Sequence, residues 1–402
     1  MRGGLDKLDQ RAGHSTSGRS STSSGGERAL GRVSTSGGGA VEESETMTAS
    51  AIKLGMPINY AGDFRETIDN LVDFESAGVA RIAVPEAYSF DAVSQLGYIA
   101  ARTEKMELQS AILPMYSRTP SNLAMTAAGL DFISGGRFVL GIGASGPQVI
   151  EGFHGVKYDY PVGRARENAD ICRLIWRREK TEYRGKHYTL PFTKEDGGTG
   201  LGKPLKIINH PVRENIPMLL AAIGPKNTEL AAEMFEEFQP FLFHPEHVDV
   251  AFGEPLAAGK AKRDPSLPEL GIVVQATARV TEDAEQIENA SQMVRHQAAL
   301  YIGGMGARGK NFYNQLTVRY GYADAAKEIQ DLYLDGKKVE AAAAVPADLV
   351  EAMSLIGPRS LVAERVAAFR AAGVTCILAA PVAPTHKERV EDMAQLAEIF
   401  AS

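Results

Sequence analysis

The chain has 402 residues, 44% of them hydrophobic and 23% charged, with a formal net charge of −7. This is ordinary globular composition, and the mildly acidic balance gives no electrostatic reason to bind nucleic acid or an anionic membrane. Two cysteines far apart in sequence, Cys172 and Cys376, exclude a disulfide framework and a metal-type spacing, so buried thiols in a reducing, cytoplasmic setting are expected.

Residues 1–46 stand apart from the rest. Runs such as Ser20-Ser-Thr-Ser-Ser-Gly-Gly26 and Ser34-Thr-Ser-Gly-Gly-Gly39 offer too little apolar surface to offset their ordering entropy, which predicts a disordered Ser/Gly-rich tail. The stretch lacks the apolar core of a secretory signal. Two readings stay open: a transit peptide, or linker or read-through sequence upstream of a start at Met47. No apolar run in the chain reaches the ~18 residues that a bilayer span needs.

From Ile52 onward, apolar strands alternate with amphipathic helices. Lys53–Ile58 is the first predicted strand. Asp63 with Glu66 forms a capping box for a helix carrying Phe64, Ile68, Leu71 and Val72 at helical spacing, and Gly78 ends it. Strand Val79–Val84, helix Asp91–Arg102 and strand Met106–Leu113 follow. Thr119-Pro120 opens a third helix and Gly135-Gly136 closes it. Phe138–Gly143 is continuously apolar, as suits a parallel strand covered on both faces. Then come helix Pro161–Arg177 and a polar excursion from Glu179 to Asn215 with a hairpin at Arg184-Gly185. Strand Ile216–Ala222, helix Lys226–Phe235, strand Phe238–Phe243, helix Pro245–Gly259, strand Leu270–Val280 and helix Asp283–Tyr301 are next. A second excursion, Gly303 to Pro358, precedes helix Leu361–Ala371, strand Val374–Ala380 and a last helix near Pro384–Phe400. Eight strand–helix units over residues 47–402 predict an α/β fold, a (β/α)8 TIM barrel with two insertions. An open doubly wound sheet would want a phosphate loop after its first strand, and Asn59-Tyr-Ala-Gly62 is not one.

Barrel chemistry sits at the C-terminal strand ends. That rule selects Asn59 and Tyr60, Glu86, Ser110 to Pro114, Gly143 to Ser145, Ala222 to Pro225, and His244. The run Gly141-Ile-Gly-Ala-Ser-Gly146 would let backbone N–H groups approach a flat ring or a phosphate, or simply make a tight turn. Ala222-Ile-Gly-Pro225 opens a helix whose N-terminus favours an anion. Gly304-Met-Gly-Ala-Arg-Gly309 matches a dinucleotide pattern but follows a helix, so it reads as a mobile loop over the mouth. No metal constellation and no Gly-x-Ser-x-Gly elbow occur. Polar strand ends and glycine loops without a nucleophile fit chemistry carried by a cofactor.

Several motifs in order carry a family resemblance. They are Glu86-Ala-Tyr-Ser-Phe-Asp-Ala92, Ala111-Ile-Leu-Pro-Met-Tyr-Ser-Arg-Thr-Pro120, and the stretch from Leu130 through Gly141-Ile-Gly-Ala-Ser-Gly146 to Gln148. Ile216-Pro-Met-Leu-Leu-Ala-Ala-Ile-Gly-Pro-Lys-Asn227 and Tyr301-Ile-Gly-Gly-Met-Gly-Ala-Arg-Gly-Lys310 complete them. Together they resemble the luciferase-like superfamily, and within it the coenzyme F420-dependent oxidoreductases. The resemblance spans Lys53 to Ser402. It implies hydride transfer between the deazaflavin and a small organic substrate, with an FMN-dependent monooxygenase and a non-catalytic cofactor-binding barrel as alternatives. It implies a non-prolyl cis peptide behind the ring, matched here to Ser110-Ala111, and cofactor contacts from Ser110, Ala111, Leu113, Gly143, Ala144, Ser145, Ala222, Ile223, Gly224 and Pro225.

Glu86 is the expected general acid, with a hydrogen-bonded structural carboxylate as the competing reading. Asn59, Arg118 and Arg308 are candidates for substrate or phosphate, and Arg118 would equally serve to pin its loop. The expected partners are a small-molecule substrate and further copies of the chain, with neither nucleic acid nor membrane. The chain departs from its relatives at Ala83, where many carry Trp, at Ser89, and at Phe235-Glu-Glu-Phe238; Ala83 is expected to reshape a pocket.

Overall fold

Eight parallel strands close into a barrel: β1 (Lys53–Pro57), β2 (Arg81–Val84), β3 (Glu107–Ser110), β4 (Phe138–Gly143), β5 (Met218–Ala221), β6 (Glu237–Gln239), β7 (Gly271–Val280) and β8 (Cys376–Pro381). Each pairs with the next, β8 pairs back to β1, and the β6–β7 pairing completes the ring. This computed structural model describes residues 52–58 and 64–402. The expected tail over 1–46, the capping Asp63, and the candidates Asn59 and Tyr60 lie outside the described residues.

Period-two alternation sorts every strand into an inner and an outer face. Leu54, Ile82, Leu108, Phe138, Leu140, Leu220, Phe238 and Ile377 face outward into the core between barrel and helices. Ala83, Val139, Leu219, Val273, Cys376 and Leu378 form a separate inner cluster. Below it, Arg81 is held by Glu237 at 2.7 and 2.8 Å, by Glu107 at 2.7 Å and by Gln109 at 3.1 Å, and Lys53 reaches Glu107. Charges this deep persist because each is paired. Ala83 belongs to the middle of the closed interior, fully buried, in the cluster on which Ala111 and Ile112 pack.

The outer helices begin where the caps predict. Thr119 accepts the Asn122 N–H and Pro120 takes the first helical position of Pro120–Ile133, and Thr385 with Glu388 makes a complete capping box for His386–Ala401. The first excursion carries the expected hairpin, Tyr183–Arg184 against Thr189–Leu190. Buried Glu167 fixes its turn by accepting the N–H groups of Lys186, His187 and Tyr188.

The second excursion differs most from expectation. It is helical: Phe312–Arg319, Ala323–Leu334, Lys338–Ala343 and Ala347–Ala352. It ends in a strand the sequence did not reveal, Ser354–Gly357, which pairs with Thr277–Val280 at the top of β7. Four residues in an alanine-rich segment carry too little periodicity to stand out, and only the projecting end of β7 gives them a partner. Gly303 and Gly304 are packing positions. They end a π-helical turn, and a Cβ on either would fall 2.5 Å from the Tyr333 side chain.

Candidate active site at the barrel mouth

The mouth is organised by an interruption in β3. Ladder pairing with β4 runs through Leu108 and Gln109, lapses, and resumes at Leu113 and Pro114 opposite Ile142 and Gly143. The Ser110 hydroxyl fills the lapse, accepting the Gly141 N–H and donating to the Gly141 carbonyl, both at 2.9 Å. Glycine is required opposite, because a Cβ on residue 141 would stand 1.9 Å from the Ser110 carbonyl oxygen. The chain then steps inward, so that Ala111 and Ile112 lie against the inner cluster, partly exposed toward the mouth. A cis peptide lies in this step, but between Ala111 and Ile112 and not between Ser110 and Ala111. The Ala111 N–H donates to the Val84 carbonyl at 2.8 Å; that ladder bond keeps the chain extended through residue 110 and moves the departure one peptide on.

The other expected cofactor residues divide by exposure. Ser110, Leu113 and Ala222 are buried, the latter two in the outer core. Ala111, Ala144, Ile223 and Gly224 are partly exposed, and Ser145 and Pro225 are exposed. Ser145 adopts φ of 57°. Gly143 lies beside the inward step, since a Cβ there would come 3.0 Å from Ile112 and 3.5 Å from Ala221. Helix Pro225–Met234 starts at Gly224 with no side chain capping it, which leaves first-turn N–H groups for an anion. From the insertion, Arg319 donates to the Ile223 carbonyl at 3.0 Å and to the Ala251 carbonyl at 2.9 Å, with its guanidinium over Phe252. Nothing in its sequence surroundings marked Arg319, because its partners come from two other loops.

Glu86 and Arg118 meet. The guanidinium grips the carboxylate at 2.6 and 3.0 Å and also reaches Asp91 at 2.9 Å, while the second Glu86 oxygen accepts the Ala92 N–H. Both are nearly buried, at 8% and 12% side-chain exposure. They edge an open cleft of about 520 Å³ that includes Ser89, Asn122, Thr126, Phe153 and His154 but not Ala111, Gly143 or Ala221. Arg308 is exposed and paired with Asp331 at 2.9 Å, away from the other candidates. His244 is buried at the end of β6 among His247, Tyr320 and Tyr322. Burial, with His247 beside it, pulls its imidazole down to about 4.

Aromatic rings that the sequence reading passed over rise around the mouth. Phe241, just past β6, packs on Tyr301 at 4.4 Å and on Tyr313 at 6.0 Å, and the two tyrosines are 4.8 Å apart. Tyr158 stacks on Tyr116, and Tyr88 leans on Phe153. Arg164 lies over the Tyr116 and Tyr188 rings and pairs with Asp159. The density of aromatics between 301 and 322 was the available signal. Among the described residues no group of His, Cys, Asp or Glu is arranged to hold a metal, and no helix is long and apolar enough to cross a membrane.

A closed ring of eight parallel strands with surrounding helices, a helical insertion after β7 and an inward step at the end of β3 defines a (β/α)8 barrel. The luciferase-like monooxygenase family profile matches residues 45–376, and the chain belongs to that family. It is 36% identical over 357 residues to a Mycobacterium tuberculosis protein named as a coenzyme F420-dependent oxidoreductase, covering 86% of this chain and 99% of that one. It is 27% identical over 305 residues to the 5,10-methylenetetrahydromethanopterin reductase of Archaeoglobus fulgidus, covering 74% and 84%. In fold it resembles the coenzyme F420-dependent tetrahydromethanopterin reductase of Methanopyrus kandleri, with a TM-score of 0.71 at 20% identity over 86% of this chain and 98% of that one. An F420-dependent secondary alcohol dehydrogenase, in complex with an F420-acetone adduct, shares the fold at a TM-score of 0.65 and 16% identity over 87% and 99%.

Proposed function

We propose that this protein is an oxidoreductase that uses coenzyme F420 to move a hydride to or from a small organic substrate. The full-length likeness to a protein named as an F420-dependent oxidoreductase carries the reading. The residues present fit the group: methyl and backbone surfaces at Ala111, Gly143 and Ala221 leave a flat surface for a ring, and the uncapped helix start at Gly224 offers N–H groups to a phosphate. When bound, the deazaflavin supplies two-electron hydride chemistry. The protein's own part is to seat the ring, exclude water beneath the insertion, and orient the substrate.

In this reading Ala111, Gly143, Ala144 and Ser145 meet the ring side, and Ile223, Gly224 and Pro225 the phosphate side, with Arg319 bracing the latter loop. Glu86, with both oxygens engaged, holds the loop after β2 together with Arg118. The free, buried thiols of Cys172 and Cys376 support a reducing, cytoplasmic setting. Exposed Met125, Phe132 and Ile133 on one outer helix support association with further copies of the chain.

The test is an anaerobic titration with oxidised coenzyme F420 and, separately, FMN. Deazaflavin fluorescence is expected to quench at low micromolar protein, with FMN binding at least about ten times more weakly, a gap of roughly 1.4 kcal/mol. Equal or tighter FMN binding, with oxygen consumed on reduction, would replace this reading with the monooxygenase one.

A further inference from the structure

Four tyrosines from separate parts of the chain converge over the mouth. Tyr88 follows β2, Tyr158 lies in the loop after β4, Tyr301 lies in the turn that ends the helix after β7, and Tyr313 belongs to the insertion that follows. The rings of Tyr301 and Tyr313 are in contact, and Phe241 packs on both. The Tyr158 hydroxyl donates to the Ser145 carbonyl at 3.5 Å. Burial raises the Tyr313 phenol above its ordinary range, and the Tyr301 and Tyr158 hydroxyls raise it further; Tyr301 is raised by burial and then by Tyr88. Tyr301 and Tyr313 therefore stay neutral hydrogen-bond donors at any ordinary pH. Among the described residues the Tyr313 hydroxyl has no hydrogen-bond partner, whereas that of Tyr116 donates to the Asp159 carbonyl.

The same mouth offers little to an anion beyond the helix start already given to the cofactor. Arg118 is taken by Glu86 and Asp91, Arg164 by Asp159, and Arg308 by Asp331. Arg319 spends its donors on two backbone carbonyls. Lys157, Lys226 and Lys310 are exposed. A charged substrate head would lose its hydration there without a free counter-charge, a cost that a neutral one does not meet.

We infer that the substrate is a neutral, planar compound, aromatic or conjugated, bearing a carbonyl-type acceptor. Its flat body lies among Tyr88, Tyr158, Phe241 and Tyr301, and the Tyr313 hydroxyl donates a hydrogen bond to its oxygen. Aromatic walls favour a planar apolar body by stacking and edge contacts. A half-buried donor with no protein partner is open to a ligand oxygen, and a ligand that supplies one gains a hydrogen bond. The inference rests on the oxidoreductase reading for its assignment of the mouth to substrate.

The test uses the full-length chain with three probes, acetophenone, 4-acetylbenzoate and ethylbenzene, followed by saturation-transfer NMR with and without oxidised coenzyme F420. Acetophenone is expected to bind at least about tenfold more tightly than its carboxylated twin, and Tyr313→Phe to weaken acetophenone about fivefold while leaving ethylbenzene unchanged, as befits one hydrogen bond. Tyr301→Leu removes a wall and is expected to weaken acetophenone and ethylbenzene alike, with circular dichroism reporting that both variants fold. Equal or tighter binding of 4-acetylbenzoate overturns the inference, and so does a Tyr313→Phe loss of the same size for both neutral probes. Failure of coenzyme F420 to bind, with the probes behaving as expected, overturns the oxidoreductase reading and leaves the neutral-ligand site standing.

Discussion

One hydroxyl joins Ser110 to both backbone groups of Gly141, at 2.9 Å each, at the point where the β3–β4 ladder lapses. The inward step at Ala111 and Ile112 hangs from this clip. Ser110→Ala would leave a buried N–H unpaired and is expected to lower unfolding free energy by about 1–3 kcal/mol. Gly141→Ala must displace the Ser110 carbonyl and is expected to cost more. Denaturant titration of both variants checks the order; an alanine at 141 tolerated better than one at 110 would contradict the close approach.

Ala111 separates a ring seat from an ordinary core position. Ala111→Phe would project a ring from the inward step into the mouth. The expected result is loss of coenzyme F420 binding by more than about a hundredfold, some 2.7 kcal/mol, with the thermal midpoint little changed. Retained affinity with a midpoint lowered by overpacking, typically about 1–3 kcal/mol, would return residue 111 to the interior core.

Glu86 and Arg118 are expected to behave as one unit. Glu86→Gln and Arg118→Met should each destabilise the loop after β2, and the double variant should fall short of their sum by about 1–3 kcal/mol, as coupled charges do. Substrate reduction by Glu86→Gln should keep the wild-type pH profile. A fall in turnover of about 10²–10⁴ with loss of one limb of that profile would instead make Glu86 the general acid.

His244 sets an acid limit. Its folded value of about 4 lies below that of the unfolded chain, near 6.5. Between those values the unfolded state holds a proton that the folded state refuses, so stability is full above pH 6.5 and declines as pH falls to 4. The contribution is at most about 3.4 kcal/mol, at roughly 1.4 kcal/mol for each pH unit between the two values. The groups that face it, His247, Glu246, Arg365 and Asp348, remain in His244→Gln. That variant is expected to show a flatter thermal midpoint over this window, and an unchanged slope would place the acid sensitivity elsewhere.

The sequence alone determined the barrel, its eight strands and most of its outer helices, because a strand covered on both faces and a helix with a cap and an apolar stripe announce themselves locally. Phe138–Gly143 and Pro120–Ile133 stand as read. Tertiary structure decided the rest, for one recurring reason: the deciding partner is far away in sequence. Ser354–Gly357 becomes a strand only against the end of β7. Gly303 and Gly304 show their packing role only once Tyr333 lies against them, and Ala83 joins its inner cluster only once the barrel closes. The cis peptide lies one link further on than the resemblance implied, at Ala111-Ile112, just past the Ala111 N–H that bonds to Val84 on another strand. The aromatic group of Phe241, Tyr301 and Tyr313 needed the same long reach, since no local pattern joins residue 241 to residues 301 and 313, and only the fold brings their rings together.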